Sequence, residues 1–339
     1  MNVLMRVDAS YEIGTGHVMR CLTLAHRLEK EGNTIAFICR RAKGDCIDLI
    51  EQQGFHVYKL PICEGSLWKY ISKRWEVDAK ETIEILRGSS VDKLIIDHYS
   101  IDFKWEKLMR QYTKKIMVID DLANRQHDCD ILLDQNFYLN MDNRYKDLVP
   151  STTRMLLGPK YALLRDEFII AKKNFKQFNG KMKRLFIFFG GSDPTNETMK
   201  TLISIIPLVE KYNFVIDVVV GNSNLNKNRI EDITLKQRNI NFYCQINNIA
   251  ELMAKADLAI GAGGATTWER IFLGLPSIVI AVAENQIEVA KAVANRGAII
   301  YLGFSNEVDV NQIVKKIDLL YRNPYKLSCI RKSCINLMS

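Results

Sequence analysis

The chain has 339 residues, 47% of them apolar and 25% charged, with a net charge of +8. That composition excludes a disordered or fibrous protein and leaves room for two domains of ordinary size. Lys and Arg are scattered rather than massed, which suits a small anionic substrate better than a polynucleotide, so no nucleic-acid partner is expected. No apolar run is long enough to span a bilayer and the first residues read as a strand rather than a leader. The expectation is a cytoplasmic protein without stable membrane insertion. Cysteines at 21, 39, 46, 63, 129, 244, 329 and 334 form no CxxC and no zinc-type spacing, so they read as reduced thiols and no metal site is expected.

In chain order, NVLMRVDA (2–9) is a strand, and Val18–Lys30 carries apolar residues at 18, 21, 22, 24, 25 and 28, a helical stripe. Strands follow at 34–40, 92–98, 114–121 and 129–134, with Gly32, Gly54 and Gly88 punctuating the helical stretches between them. Pro150, Gly158 and Pro159 close this series, and KKNFKQFNGKMKR (172–184) has linker character. The expected division is a first domain over 1–160, a linker over 161–181 and a second domain over 182–339. A second series of strands, at 183–191, 213–221, 239–244, 257–262, 276–283 and 298–303, consists of nearly continuous apolar runs, as in parallel strands covered on both faces. Two alternations of strand and helix predict two doubly wound α/β domains with right-handed crossovers. Residues 308–338 have helical spacing and could pack back across the domain junction.

Two glycine turns carry the strongest chemical signal. Gly14-Thr15-Gly16-His17 follows the first strand and opens a helix whose exposed N–H groups favour an anion; Met19 stands where a dinucleotide fingerprint needs a third glycine. His17 lies in the first turn, where the positive end of the helix disfavours imidazolium, so a neutral, base-competent ring is one reading and a capping or packing histidine the other. In the second series, the strand DLAIGA runs into Gly263-Gly264, then Ala265-Thr266-Thr267 form the small first turn of a helix, suited to a diphosphate. Glu269, one turn in, can accept both ribose hydroxyls or serve as a surface carboxylate facing the helix dipole.

Asn285 and Gln286 follow the next strand at the end of the sheet where ligands bind in such folds. Gly190-Gly191-Ser192-Asp193 follows the first strand of the second series and either lines the same cleft or makes an ordinary turn capped by Ser192 or Asp193. Asp97-His98-Tyr99 and Asp120-Asp121 end first-half strands near His17. Asp97, His98 and Asp121 are expected to hydrogen-bond sugar groups or to cap the next element.

IGTGHVMR, LIIDHYSID, LLGPKYALLRDEF, FFGGSDPTN and GAGGATTWERIFLGLP…AENQ occur in an order resembling the UDP-2,4-diacetamido-2,4,6-trideoxy-β-L-altropyranose hydrolases of pseudaminic acid biosynthesis (the PseG family) and the SpsG-type spore coat polysaccharide proteins grouped with them. The similarity covers roughly residues 1–305. More distantly, the glycine loops resemble GT-B glycosyltransferases. The resemblance implies a GT-B architecture, two Rossmann-like domains with an interdomain cleft, and a cofactor-free, metal-independent hydrolysis in which water inverts the anomeric centre and UDP leaves. It assigns His17 as the base, Gly264, Ala265 and Thr266 to the diphosphate, Glu269 to the ribose and Asn285 to a substrate contact; Gly14, Gly16, Arg20, Gly191 and Gln286 are further candidates for binding substrate. Tyr161, Ala162 and Leu163 would lie near the uracil, their backbone groups reading the base edge. The expected partner is a UDP-sugar, with other polysaccharide-biosynthesis enzymes as further candidates.

Two rivals share these residues. A glycosyltransferase would use the same UDP site but release UDP slowly without an acceptor; WKYISKRW (68–75) is the nearest thing to a membrane-facing patch for such an enzyme. A non-catalytic nucleotide-sugar binder would hold UDP without turnover.

Overall fold

The computed structural model describes residues 1–63, 65–88, 90–173 and 180–338. The chain divides into two compact units, Met1–Leu163 and Leu164–Ser339.

The first unit contains β1 (Asn2–Val7), α1 (Gly16–Lys30), β2 (Thr34–Arg40), α2 (Ile47–Gln52), β3 (His56–Leu60), α3 (Leu67–Lys73), α4 (Trp75–Arg87), β4 (Val91–Asp97), α5 (Phe103–Met109), β5 (Thr113–Ile119), β6 (Ile131–Asp134) and β7 (Arg154–Leu157). Its seven strands are ordered β3-β2-β1-β4-β5-β6-β7, and each neighbouring pair is parallel. Alternation along β1 explains the layering: Val3, Met5 and Val7 pack with Val18, Cys21, Leu22 and Ala25 of α1 on one face. Leu4 joins Leu67 and Ile71 of α3, Leu86 of α4 and Trp105 of α5 on the other. Such fully buried side chains each contribute about 1.5–3 kcal/mol.

The second unit contains α6 (Asp166–Lys173), β8 (Arg184–Phe188), α7 (Glu197–Tyr212), β9 (Val215–Val220), α8 (Lys227–Thr234), β10 (Ile240–Cys244), α9 (Ile249–Lys255), β11 (Leu258–Ala262), α10 (Thr266–Leu273), β12 (Ser277–Ala281), α11 (Asn285–Asn295), β13 (Ile300–Phe304), α12 (Val310–Arg322) and α13 (Pro324–Met338). Its sheet runs β10-β9-β8-β11-β12-β13, also all parallel. The same doubly wound order therefore occurs twice, with switch points between β1 and β4 and between β8 and β11, the places where open α/β sheets bind ligands.

Two expectations change. The stretch 161–181 is not a linker as a whole: Pro159–Tyr161 is a 3₁₀ turn, and Asp166–Lys173 forms α6, which packs on α9 and α10. Phe168 and Ala171 supply the apolar face that seats it there. Positions 174–179 of that stretch lie outside the described residues. The C-terminal helices pack on the second unit itself, α12 against α7 and α13 against α10.

Candidate active site

The turn after β1 is folded by its glycine. Gly14 has φ +78°, its N–H donates to the Ser10 carbonyl at 2.8 Å, and the Ser10 hydroxyl accepts from the Ile13 N–H at 3.1 Å. A side chain at Gly14 would be strained at that φ. Gly16 then begins α1, placing His17 and Arg20 on consecutive turns above the end of β4. The pairing of Val7 with Asp97 brings the last residue of β4 beneath them.

Asp97 is fully buried. One of its oxygens lies 2.6 Å from His17 Nδ1. Arg20 donates to both, Nε to Oδ2 at 2.5 Å and Nη2 to Oδ1 at 2.6 Å. Burial alone would raise the Asp97 carboxyl, but Arg20 and His17 outweigh it and hold it well below the usual carboxylate range. An ionised carboxylate can only accept, so the Asp97 contact calls for the proton on Nδ1 with Nε2 as acceptor; Arg20 Nη2 lies 3.1 Å from the same nitrogen and, being a donor itself, makes no bond to it in that tautomer. The third Arg20 nitrogen, Nη1, donates to Asp121 Oδ2 at 2.9 Å, and the other Asp121 oxygen accepts from the Tyr99 hydroxyl at 2.5 Å. Burial, then Asp121, push the Tyr99 phenol well above its ordinary range, so it is a donor and not a base.

Tyr99 meets the His17 ring edge-on at 4.4 Å and Trp68 at 5.4 Å. These three rings, with Glu12 and Ile13, line a cavity of about 300 Å³. The Glu12 carboxylate accepts from Ser66 Oγ, the residue that caps α3.

Of the expected first-unit residues, Gly14, Gly16, His17, Arg20, Asp97 and Asp121 are brought together. Asp97 is hydrogen-bonded to His17 and Arg20, and Asp121 to Arg20 and Tyr99. His98 does not join them. Its Nδ1 accepts from the Ser100 N–H at 3.0 Å and its Nε2 lies 3.3 Å from Asp8, inside a buried cluster where Arg6 bridges Asp8 and Asp78. Successive strand residues face opposite sides of a sheet, which sends His98 away from Asp97. Trp68, at the start of the stretch 68–75, lines the cavity, while Leu67 and Ile71 of the same helix are core.

In the second unit, β11 and β8 lie so close that a side-chain carbon at Gly261 would come within 2.3 Å of the Phe188 carbonyl. The turn after β11 leaves three donors open: among the described residues, the backbone N–H groups of Gly264, Ala265 and Thr266 meet no acceptor. Backbone N–H groups left open at a helix start are suited to an anion. Gln286 braces this turn rather than facing outward, its Oε1 accepting from Gly263 N–H at 3.1 Å and Val282 N–H at 3.0 Å. Asn285 opens α11 and is exposed. Gly191 sits at the end of β8 with its carbonyl accepting from Ser223 Oγ at 3.0 Å. Asp193 lies in the turn before α7 and its carboxylate accepts from the Glu197 and Thr198 N–H groups at 2.9 and 2.8 Å.

Glu269 is buried and paired: Arg165 donates Nε and Nη2 to its two oxygens at 2.8 and 3.1 Å. The N–H groups of Tyr161, Ala162 and Leu163 are all engaged, by Gly158 O, Pro159 O and Gln135 Oε1. Any reading of a base edge by these three therefore falls to their carbonyls. Tyr99, Trp68, Glu12 and Arg165 were not among the expected site residues. Tyr99 adjoins the Asp97-His98 pair and Arg165 lies in the YALLRDEF motif, so both had a signal in the sequence; Trp68 and Glu12 had none. Among the described residues no group of three or more His, Cys, Asp or Glu is arranged to hold a metal ion, and no helix is long and apolar enough to cross a membrane.

Residues 185–333 match the glycosyltransferase family 28 C-terminal domain. The uncharacterized protein MJ1062 of Methanocaldococcus jannaschii is 31% identical over 85% of this chain, a match that spans 57% of that longer protein. The UDP-2,4-diacetamido-2,4,6-trideoxy-β-L-altropyranose hydrolase of Campylobacter jejuni is 30% identical over 88% of this chain and 97% of its own length. The chain belongs to this hydrolase family. The spore coat polysaccharide biosynthesis protein SpsG of Bacillus subtilis is 26% identical over 97% of this chain and 91% of that protein. In fold the chain is similar to MurG of Acinetobacter baumannii (TM-score 0.65, 12% identity, 99% of this chain and 94% of that one). It is likewise similar to the spinosyn rhamnosyltransferase SpnG complexed with thymidine diphosphate (TM-score 0.67, 13% identity, 100% and 95%). The two Rossmann-like units are those of the GT-B glycosyltransferase fold.

Proposed function

We propose that the chain hydrolyses a UDP-linked diacetamido-trideoxyhexose to UDP and the free sugar, in the biosynthesis of a pseudaminic acid-type or spore coat polysaccharide. The second unit retains UDP at the open first turn of α10, and the first supplies the base. The observation that carries this reading is the His17–Asp97 contact of 2.6 Å at a cavity walled by Tyr99 and Trp68. An imidazole with its Nδ1 proton fixed is prepared to take a proton at Nε2.

In the step this implies, His17 Nε2 removes a proton from water as the water oxygen bonds to the anomeric carbon. The bond from that carbon to the diphosphate oxygen breaks, its electron pair leaves with UDP, and the configuration inverts. UDP is a good leaving group, so the protein's task is to position water and to receive charge at the α10 turn. Glu269 is assigned to the ribose, Asn285 to the sugar, and the Tyr161–Leu163 carbonyls to the uracil.

The match to a glycosyltransferase domain favours one second reading, transfer to an acceptor. Purified protein incubated with a panel of UDP-linked amino sugars without acceptor, followed by NMR, separates the two. Rapid UDP release with inverted sugar supports hydrolysis; release that waits for an acceptor overturns it.

A further inference from the structure

Arg270 lies in the second turn of α10 and is 1% exposed. Its guanidinium donates to three neutral oxygens: Ala262 O at 2.7 Å, Thr267 Oγ1 at 3.0 Å and Thr266 Oγ1 at 3.1 Å. Its Nε has no partner. Glu269, its neighbour in sequence, is hydrogen-bonded to Arg165 and acts on Arg270 only through space; among the described residues no carboxylate is hydrogen-bonded to Arg270. Burial lowers the guanidinium to about 10, which still leaves it charged at neutral pH. A side-chain carbon at Gly261 would reach within 3.0 Å of Nη1, so the strand itself leaves room for this group.

A buried cation without an acid is costly, and folded chains ordinarily pair it. Here all of its contacts go to the strand end and helix turn that also present the open N–H groups of Gly264, Ala265 and Thr266. Arg270 Nη1 also donates to Thr266 Oγ1, so the guanidinium is tied to the first residue of the same helix turn.

We propose that Arg270 is the internal counter-charge of the diphosphate: a positioning residue that holds the α10 turn in its anion-receiving form and is itself balanced when the phosphates bind. The inference rests on the reading of that turn as the UDP site. It does not touch the nucleotide; its field and its grip on Thr266 and Thr267 act through the turn.

The test compares UDP and uridine binding by titration for the full-length wild type, Arg270→Gln and Arg270→Lys, with folding followed by circular dichroism. Arg270→Gln should lose about 30-fold or more in UDP affinity and change uridine affinity less than about 3-fold, and Arg270→Lys should recover most of the loss. Should Arg270→Gln not fold, Arg270→Lys carries the test: it keeps the charge with fewer hydrogen bonds, so UDP affinity within about 5-fold of wild type supports the proposal and a larger loss overturns it. Equal UDP affinity in Arg270→Gln, or equal losses for UDP and uridine, would overturn the proposal while leaving the UDP site standing. Failure of the wild type to bind UDP would remove the site itself, and the inference with it.

Discussion

Arg165 holds the Glu269 carboxylate with two nitrogens at 2.8 and 3.1 Å, closing both oxygens on their inner side. A carboxylate oxygen has a second lone pair, so a diol can still be received, at an oxygen already fixed in place. Glu269→Gln should therefore weaken UDP binding about tenfold, the scale of one hydrogen bond to a charged group. The wild type should prefer UDP to dUDP, and the variant should not distinguish them. Equal affinities of the wild type for the two nucleotides would remove the ribose from Glu269.

His17→Asn should reduce turnover by about 10²–10⁴, the usual worth of general-base catalysis, and leave UDP affinity unchanged. Steady-state kinetics with calorimetry reads both; turnover at the wild-type rate would take His17 out of the reaction.

Asp97→Asn should do more than slow the reaction. It leaves the Arg20 guanidinium, 7% exposed, without its main counter-charge. Breaking a buried pair from one side costs about 3–5 kcal/mol, so urea midpoints should fall as turnover does. Loss of activity with an unchanged midpoint would show that Arg20 is satisfied elsewhere.

Burial, then the nearby Asp121, push the Asp134 carboxyl up to about 7 from an ordinary 3.8. The folded chain thus keeps a proton that the unfolded chain has released. This group's contribution is whole below pH 3.8 and is lost as the pH rises to 7, where it reaches its full penalty. Asp134→Asn should flatten that slope and stabilise the protein at pH 8 by about 1–4 kcal/mol. Urea unfolding at pH 4.5 and 8 measures it, and parallel slopes in both proteins would contradict it.

Asp97 and Asp121 are both tied to Arg20, so activity is expected to persist in EDTA. Activity lost to EDTA and restored by Mg²⁺ would return those two carboxylates to the role of ligands.

Much of the fold is legible along the chain. The run TIAFICR is β2 to the residue, and the stripe from Val18 is α1. The strands not foreseen, β3 and β7, are the two edges of the first sheet, where Arg154 and Met155 stay exposed and no apolar run is needed. The glycine turns stood out because φ and close approach dictate residue type locally. The roles around them did not, because they depend on partners far off in sequence: Arg20 and Asp97 are separated by 77 positions. Asp97 read as a possible sugar contact and Gln286 as a ligand residue, and nothing in the chain singled out Arg270. Only the crossing of strands shows that the first is bonded to His17 and Arg20, the second ties two loops, and the third bonds to the turn after β11.

The joint hold of Asp97 on an imidazole and a guanidinium constrains any redesign. Altering that carboxylate to reorient the ring would release a cation into the interior at the same time. The ring's placement and the burial of Arg20 are inherited together, whereas Tyr99 borders the ring without a hydrogen bond to Asp97.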